Sequence, residues 1–229
     1  MGAVTRLPSE IFAKTTDGSN NINTISFNYG HIPTDCLVEI GAHALQGCAS
    51  LENFGYYEGN AYLLPTSLRT VGDYAFQGCS NTNMKLADSP YVTAHITSVG
   101  KYAFDGCEWM DNTIFTDVFD LGSLTYDEGS FRGCKLTSVD LSKSKVINIP
   151  DYAFYGNNLG AQGLKLPEGC TSIGQYAFAG CKMLNDLPRG KSRLFCHIRD
   201  VRTASGLGMN LQGTCVFRGK GEPMEENTV

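Results

Sequence analysis

One nine-residue phrase recurs along this chain. A chain that repeats itself every few tens of residues folds by stacking units, because no single unit can bury its apolar face alone. The phrase reads Val71-Gly72-Asp73-Tyr74-Ala75-Phe76-Gln77-Gly78-Cys79. It returns as Val99-Gly100-Lys101-Tyr102-Ala103-Phe104-Asp105-Gly106-Cys107 and as Ile173-Gly174-Gln175-Tyr176-Ala177-Phe178-Ala179-Gly180-Cys181. Looser copies occupy residues 40–48, 126–134 and 149–157, and a degraded first copy occupies residues 7–12. The anchors Phe12, Leu45, Phe76, Phe104, Phe131, Phe154 and Phe178 lie 33, 31, 28, 27, 23 and 24 residues apart.

Other columns align on these anchors. Five residues before each stand Leu7, Ile40, Val71, Val99, Tyr126, Ile149 and Ile173; eight before stand Val4, Leu37, Leu68, Ile96, Ser123, Val146 and Cys170. Gly47, Gly78, Gly106, Gly133, Gly156 and Gly180 follow the anchor by two, where a positive φ or a close backbone approach is expected. Between the motifs lie short alternations: Ile25-Ser26-Phe27, Met84-Lys85-Leu86, Phe119-Asp120-Leu121, Val139-Asp140-Leu141 and Leu164-Lys165-Leu166. Two apolar residues flanking a polar one put two side chains on one face and one on the other, a strand pattern. One such strand per unit, stacked in register, predicts a parallel sheet, with the Ile-Gly-x-Tyr-Ala-Phe phrase as the turn that brings the chain back.

The pattern L-x-x-[LV]-x-L-P … L-x-x-[IV]-G-x-Y-A-F-x-G-C, clearest in residues 164–187, resembles the BspA-like leucine-rich repeats over residues 4–188. The resemblance implies an α/β fold: a right-handed solenoid with a short parallel sheet on its concave side and turns or short helical segments opposite. It also implies a non-enzymatic scaffold that binds proteins, in adhesion to host or matrix proteins at a cell surface. The alternative is an intracellular interaction or signalling scaffold. The organisation expected is a solenoid of about seven repeats over residues 1–188, followed by an irregular basic cap or tail over 189–229.

The cysteines are where chemistry was to be sought. Five of the nine, Cys48, Cys79, Cys107, Cys134 and Cys181, follow the anchor by three, and Asn157 is the one departure from that column. A disulfide framework, a metal site and a ladder of buried reduced thiols all fit a column. Side chains stacked in parallel do not turn toward one another as a disulfide needs, and the thiol ladder is the reading preferred. No C-x-x-C occurs, and His31, His43, His95 and His197 are scattered, so no metal ligand set is expected. The odd total disfavours a fully paired secreted framework, though Cys36, Cys170, Cys196 and Cys215 leave room for a pair. No N-x-[ST] acceptor is present.

Catalytic motifs fail on inspection. Gly190-Lys191-Ser192 lacks the earlier glycine of a phosphate loop, since Asn185 stands there, and Gly206-Leu207-Gly208 lacks the third glycine of a dinucleotide turn. No nucleophile elbow or zinc-protease motif appears. No catalytic residue, cofactor or metal is therefore assigned. The partner expected is a protein, bound by a monomer through the outward strand residues Ser26, Lys85, Asp120, Asp140 and Lys165, with neighbours Thr24, Asn83, Val118, Ser138 and Ser142.

Charge divides the chain. Residues 189–229 hold seven basic against four acidic residues, +3, which leaves −8 on residues 1–188 of the total −5. The basic cluster from Arg189 to Arg202 matches no nucleic-acid module, and nucleic acid is not expected as a partner. No run approaches the ~18 apolar residues of a membrane span, and no secretory signal is visible near Met1. The resemblance places the protein at a surface or outside the cell; a complete chain without a signal would be cytoplasmic. The first unit begins almost at Met1 without a capping segment, which fits either a chain truncated at its N-terminus or a piece of a longer array.

Overall fold

A polar residue followed by a branched apolar one sends one side chain out and the next one in. That pair opens every copy of the motif. In the computed structural model, which describes residues 5–13, 21–27, 36–58, 61–65, 67–84, 96–159, 164–167, 170, 172–181 and 209–210, each pair is a two-residue strand. These are β1 (Arg6–Leu7), β3 (Glu39–Ile40), β6 (Thr70–Val71), β7 (Ser98–Val99), β8 (Thr125–Tyr126), β10 (Asn148–Ile149) and β12 (Ser172–Ile173). Strands β1, β3, β6, β7 and β8 pair in that order, all parallel, and β10 pairs parallel with β12. The second residue of every pair is buried. Among the described residues the seven pairs lie in two parallel ladders, one of five strands and one begun by β10 and β12.

The expectation of one strand per repeat is corrected here. The polar–apolar pair that opens the motif, ahead of its turn, carries the longer ladder, and the Leu-x-Leu alternations form a second, interrupted series. Within that series β2 (Thr24–Phe27) pairs parallel with β4 (Asn53–Glu58), and β5 (Ala61–Leu63) folds back antiparallel on β4. Further along, β9 (Val139–Asp140) pairs parallel with β11 (Leu164–Lys165). Phe119 makes only a single bridge to Ile96, because the helix α1 (Asn112–Val118) runs up to it. The Asp111 side chain caps α1 by accepting from the Ile114 N–H at 3.0 Å. The inter-motif segments are where the repeats differ in length, so only neighbours of matching length can hold register there.

The motif itself is a second ladder of hydrogen bonds. The N–H groups of Tyr74, Phe76 and Gly78 donate to the carbonyls of Lys101, Ala103 and Asp105 in the next coil, each at 2.8 Å. The same three donations recur from His43, Leu45 and Gly47, from Tyr102, Phe104 and Gly106, from Gly129, Phe131 and Gly133, and from Tyr152, Phe154 and Gly156. Aiming alternate N–H groups along the stack requires left-handed backbone at two places. Tyr74 has φ 56° and Gly78 φ 72°, the first a conformation that L-residues rarely hold. The first glycine serves differently: a Cβ on Gly72 would lie 2.6 Å from the Ala42 nitrogen, so backbone meets backbone between coils.

The anchors form the core. Phe76, Phe104, Phe131, Phe154 and Phe178 stack face to face with successive centroids 5.3, 5.9, 5.5 and 5.6 Å apart, within the range favourable for ring pairs. Beside them runs the cysteine column. The thiols of Cys48, Cys79, Cys107, Cys134 and Cys181 each donate to the anchor carbonyl of the preceding coil, those of Phe12, Leu45, Phe76, Phe104 and Phe154, at 3.1–3.4 Å. Asn157 takes the same post, with Nδ2 donating to the Phe131 carbonyl at 2.7 Å. One column shifts: in the fifth coil Ser123 is exposed and Leu124 enters the core in its place.

Proline explains a break. The N–H groups of Gly41, Gly72, Gly100 and Gly174 donate to the carbonyls of Leu7, Ile40, Val71 and Ile149 at 2.7–2.9 Å. Pro150 stands in that column and has no N–H to give. Among the described residues no strand pairing joins β8 to β10, while the motif ladder runs across the same junction from Phe131 to Ala153 at 2.9 Å.

Candidate protein-binding surface

A rigid ladder offers its outward side chains at one per coil, so what it can bind is set by which of them share a face. Of the residues expected to make contact, the structure brings two together. Asp140 and Lys165 are register partners on β9 and β11, and Lys165 Nζ lies 2.7 Å from Asp140 Oδ2. Both are exposed, above the buried Val139 and Leu164. The ammonium of Lys165 and the Ser142 hydrogen bonds hold the Asp140 carboxyl down at about 2.

The others are dispersed. Asp120 is half-buried past the end of α1, and its Oδ1 accepts from the Gly122 N–H at 3.1 Å. On β2 the backbone of Ser26 pairs with Gly55 of β4, and Lys85 lies outside the described residues. Thr24 and Asn83 are exposed, as is Ser142. Ser138 is half-buried and held by Asn112, whose Nδ2 donates to its carbonyl and whose Oδ1 accepts from the Thr137 N–H at 2.8 Å. Val118 is corrected outright: it sits in α1 and is buried. A helix at this point of the repeat turns the residue before Phe119 inward instead of outward.

Two further rows escaped the sequence reading. The longer ladder presents Arg6, Glu39, Thr70, Ser98 and Thr125, and the β10–β12 pair presents Asn148 and Ser172; an Arg6–Glu39 ion pair at 3.0 Å and a Ser172–Asn148 hydrogen bond at 2.7 Å link neighbours within them. Their signal was present, as a polar residue before each branched one. The motif face carries the second row: the rings of His43, Tyr74 and Tyr102 stack at 4.9 and 5.5 Å, and Tyr152 and Tyr176 at 5.1 Å. Gly129 interrupts it, and the Tyr102 ring leans over that glycine while its hydroxyl donates to Glu128 Oε1 at 2.6 Å. Alongside run Gln46, Gln77, Asp105 and Arg132, linked in sequence, with the Arg132 guanidinium 5.3 Å above the Tyr155 ring.

Burial disfavours the thiolate at four posts of the cysteine column. Burial pushes Cys48 up to about 11, and it pushes Cys79, Cys107 and Cys134 well above the ordinary thiol range. Nucleophilic or metal chemistry needs the thiolate. All seven described cysteines are free thiols; Cys196 and Cys215 lie outside the described residues. Among the described residues no cluster of His, Cys, Asp and Glu could hold a metal, and no helix is long and apolar enough to cross a membrane. The basic cluster from Arg189 to Arg202 also lies outside them.

Parallel coils, one motif per coil and a core of stacked anchors define a leucine-rich-repeat solenoid, a repeat scaffold. The family model for the BspA type leucine rich repeat region matches residues 19–127 and 118–192 in six copies, and the chain belongs to that family. The degraded copy at residues 7–12 precedes the match, yet β1 joins the ladder through β3. No curated protein and no solved structure matches the chain.

Proposed function

We propose that this chain is a protein-binding scaffold for adhesion or cell-surface recognition, which takes its partner on the outward residues of its strands. Membership in a repeat family that is a non-enzymatic scaffold supports the reading. The observation that carries it is the Asp140–Lys165 pair, charged and exposed on adjacent coils above a fully packed core. A rigid face loses little freedom on association, so complementarity is converted to affinity efficiently. The expected contacts are Asp140, Lys165 and Asp120, with Ser26 and Lys85. The test is retention of the chain on an immobilised panel of extracellular-matrix proteins. Charge reversal at both acidic positions, Asp120→Lys with Asp140→Lys, weakens retention at least tenfold and leaves the thermal unfolding midpoint in place. Undiminished retention by that variant refutes the face.

The free, buried thiols favour a second reading, an interaction scaffold in a reducing compartment. Thiol titration of protein denatured without reductant separates the two. All nine cysteines titrate if the native setting is reducing; a deficit of two or more places the protein in an oxidising one.

A further inference from the structure

A ring stacked between two others has both faces covered, so inside a row a free aromatic face appears only where the row breaks. The tyrosine row of the motif breaks at Gly129. Before the break Tyr102 stacks on Tyr74, and after it Tyr152 stacks on Tyr176, with interplanar angles of 11° and 26°. Among the described residues no ring contact joins Tyr102 to Tyr152. The coil between them has only a hydrogen where its neighbours carry a ring, and a Cβ on Gly129 would lie 2.4 Å from the Tyr102 ring. Tyr152 thus keeps the face turned toward this coil clear of any stacked ring among the described residues.

Carboxylates surround the break. Asp127 and Glu128 immediately precede Gly129, and Asp151 immediately precedes Tyr152. Asp127 and Asp151 are exposed, and Glu128 is half-buried. One oxygen of Glu128 accepts from the Tyr102 hydroxyl, and the other lies 3.9 Å from Lys101 Nζ. Three carboxylates against that one ammonium leave −2 at the break, on a stretch (residues 1–188) that carries −8. Such a place draws in a cation, and a free ring face gives it something to stack on. The chain already holds a guanidinium in this manner in the adjacent column: Arg132 Nε lies 3.6 Å from Asp105 Oδ1, and its Cζ lies 5.3 Å from the centre of the Tyr155 ring. We infer that the break at Gly129 is a docking site for an arginine side chain from a basic segment of a partner protein, stacked on Tyr152 and paired with Glu128 and Asp151. Arginine suits the site better than lysine, because a planar fork can lie along a ring and still meet carboxylates at its edge. The contact lies on the motif face and does not depend on what the outward strand residues bind.

The test is fluorescence anisotropy of the full-length chain with two dye-labelled peptides, one alternating Arg and Gly, the other carrying Lys at every Arg. The arginine peptide binds saturably and about fivefold more tightly than the lysine peptide. Tyr152→Leu, which keeps an apolar side chain and removes the ring, abolishes that preference. Glu128→Gln with Asp151→Asn keeps an acceptor at both positions and weakens both peptides. The chain carrying Asp120→Lys and Asp140→Lys retains the preference for arginine, so this site and the strand face fail separately. On the unaltered chain, an arginine peptide that does not bind saturably, or binds no better than the lysine peptide, overturns the inference without recourse to any variant. A preference that survives in folded Tyr152→Leu overturns it as well, and so does an affinity that the loss of both carboxylates leaves unchanged.

Discussion

Asn157 shows what the cysteine column is for. Its amide reaches the Phe131 carbonyl just as the thiols reach theirs, and its Oδ1 also accepts from the Leu136 N–H at 3.1 Å. The post therefore demands a small buried donor aimed at an anchor carbonyl. Cysteine fills it with little polar surface to desolvate. Asn157→Ala leaves an acceptor and a donor unpaired in the core and is expected to cost about 3 kcal/mol, each orphan contributing about 1–3 kcal/mol. Asn157→Cys restores the bond to Phe131 alone and is expected to cost about half as much. Urea unfolding of the two variants checks the difference, and equal losses contradict the assigned role. Asp140 supplies a prediction in pH. Its carboxyl is held below its ordinary range, so its contribution to stability is full above that range and is lost as pH falls through about 2. An NMR titration of the Asp140 carboxyl gives a midpoint near 2 that rises toward the ordinary value in Lys165→Met. The unfolding free energy at neutral pH changes by less than about 1 kcal/mol, because the pair is exposed.

Among the elements, the junction between β8 and β10 is the least regular part of the stack. Pro150 removes the donor that would join the strands, and Tyr126 places a ring in a column that elsewhere holds aliphatic residues. The ring packs on Phe131 and Phe154, but its hydroxyl is buried with no partner among the described residues. Tyr126→Phe keeps the ring and removes that uncompensated polar atom. It is expected to raise stability by about 1 kcal/mol, read as an increase in the urea midpoint; a decrease would mean that the hydroxyl is satisfied in solution. The same elements mark how far the sequence reading reached. Anchors, glycines and thiols were legible because each must recur once per coil, and recurrence is visible without coordinates. The alternation Val139-Asp140-Leu141 was legible as a strand for the same reason. Helix α1 was not, although Asp111 followed by Phe115, Val118 and Phe119 has the cap and spacing of a helical turn, because it occurs once and the repeat frame argued for a strand there. The motif's own ladder was hidden for a different reason. Its bonds depend on left-handed backbone at Tyr74 and its equivalents, a conformation that tyrosine gives no cause to expect.

At the scale of the whole molecule, a strand ladder and a motif ladder join the coils, and at the β8–β10 junction the motif ladder runs on where strand pairing stops. The motif ladder therefore holds coil to coil even where the strand ladder is interrupted. This is what leaves an outward face rigid enough to serve as a scaffold. The account stands or falls on the motif being a backbone ladder and not an isolated turn. Site-resolved amide hydrogen exchange of the native chain measures that directly. The amides of Phe76, Phe104, Phe131 and Phe154, each donated to the following coil, are predicted to exchange together and only through cooperative unfolding of the stack. Rapid, independent exchange at these four positions would contradict it.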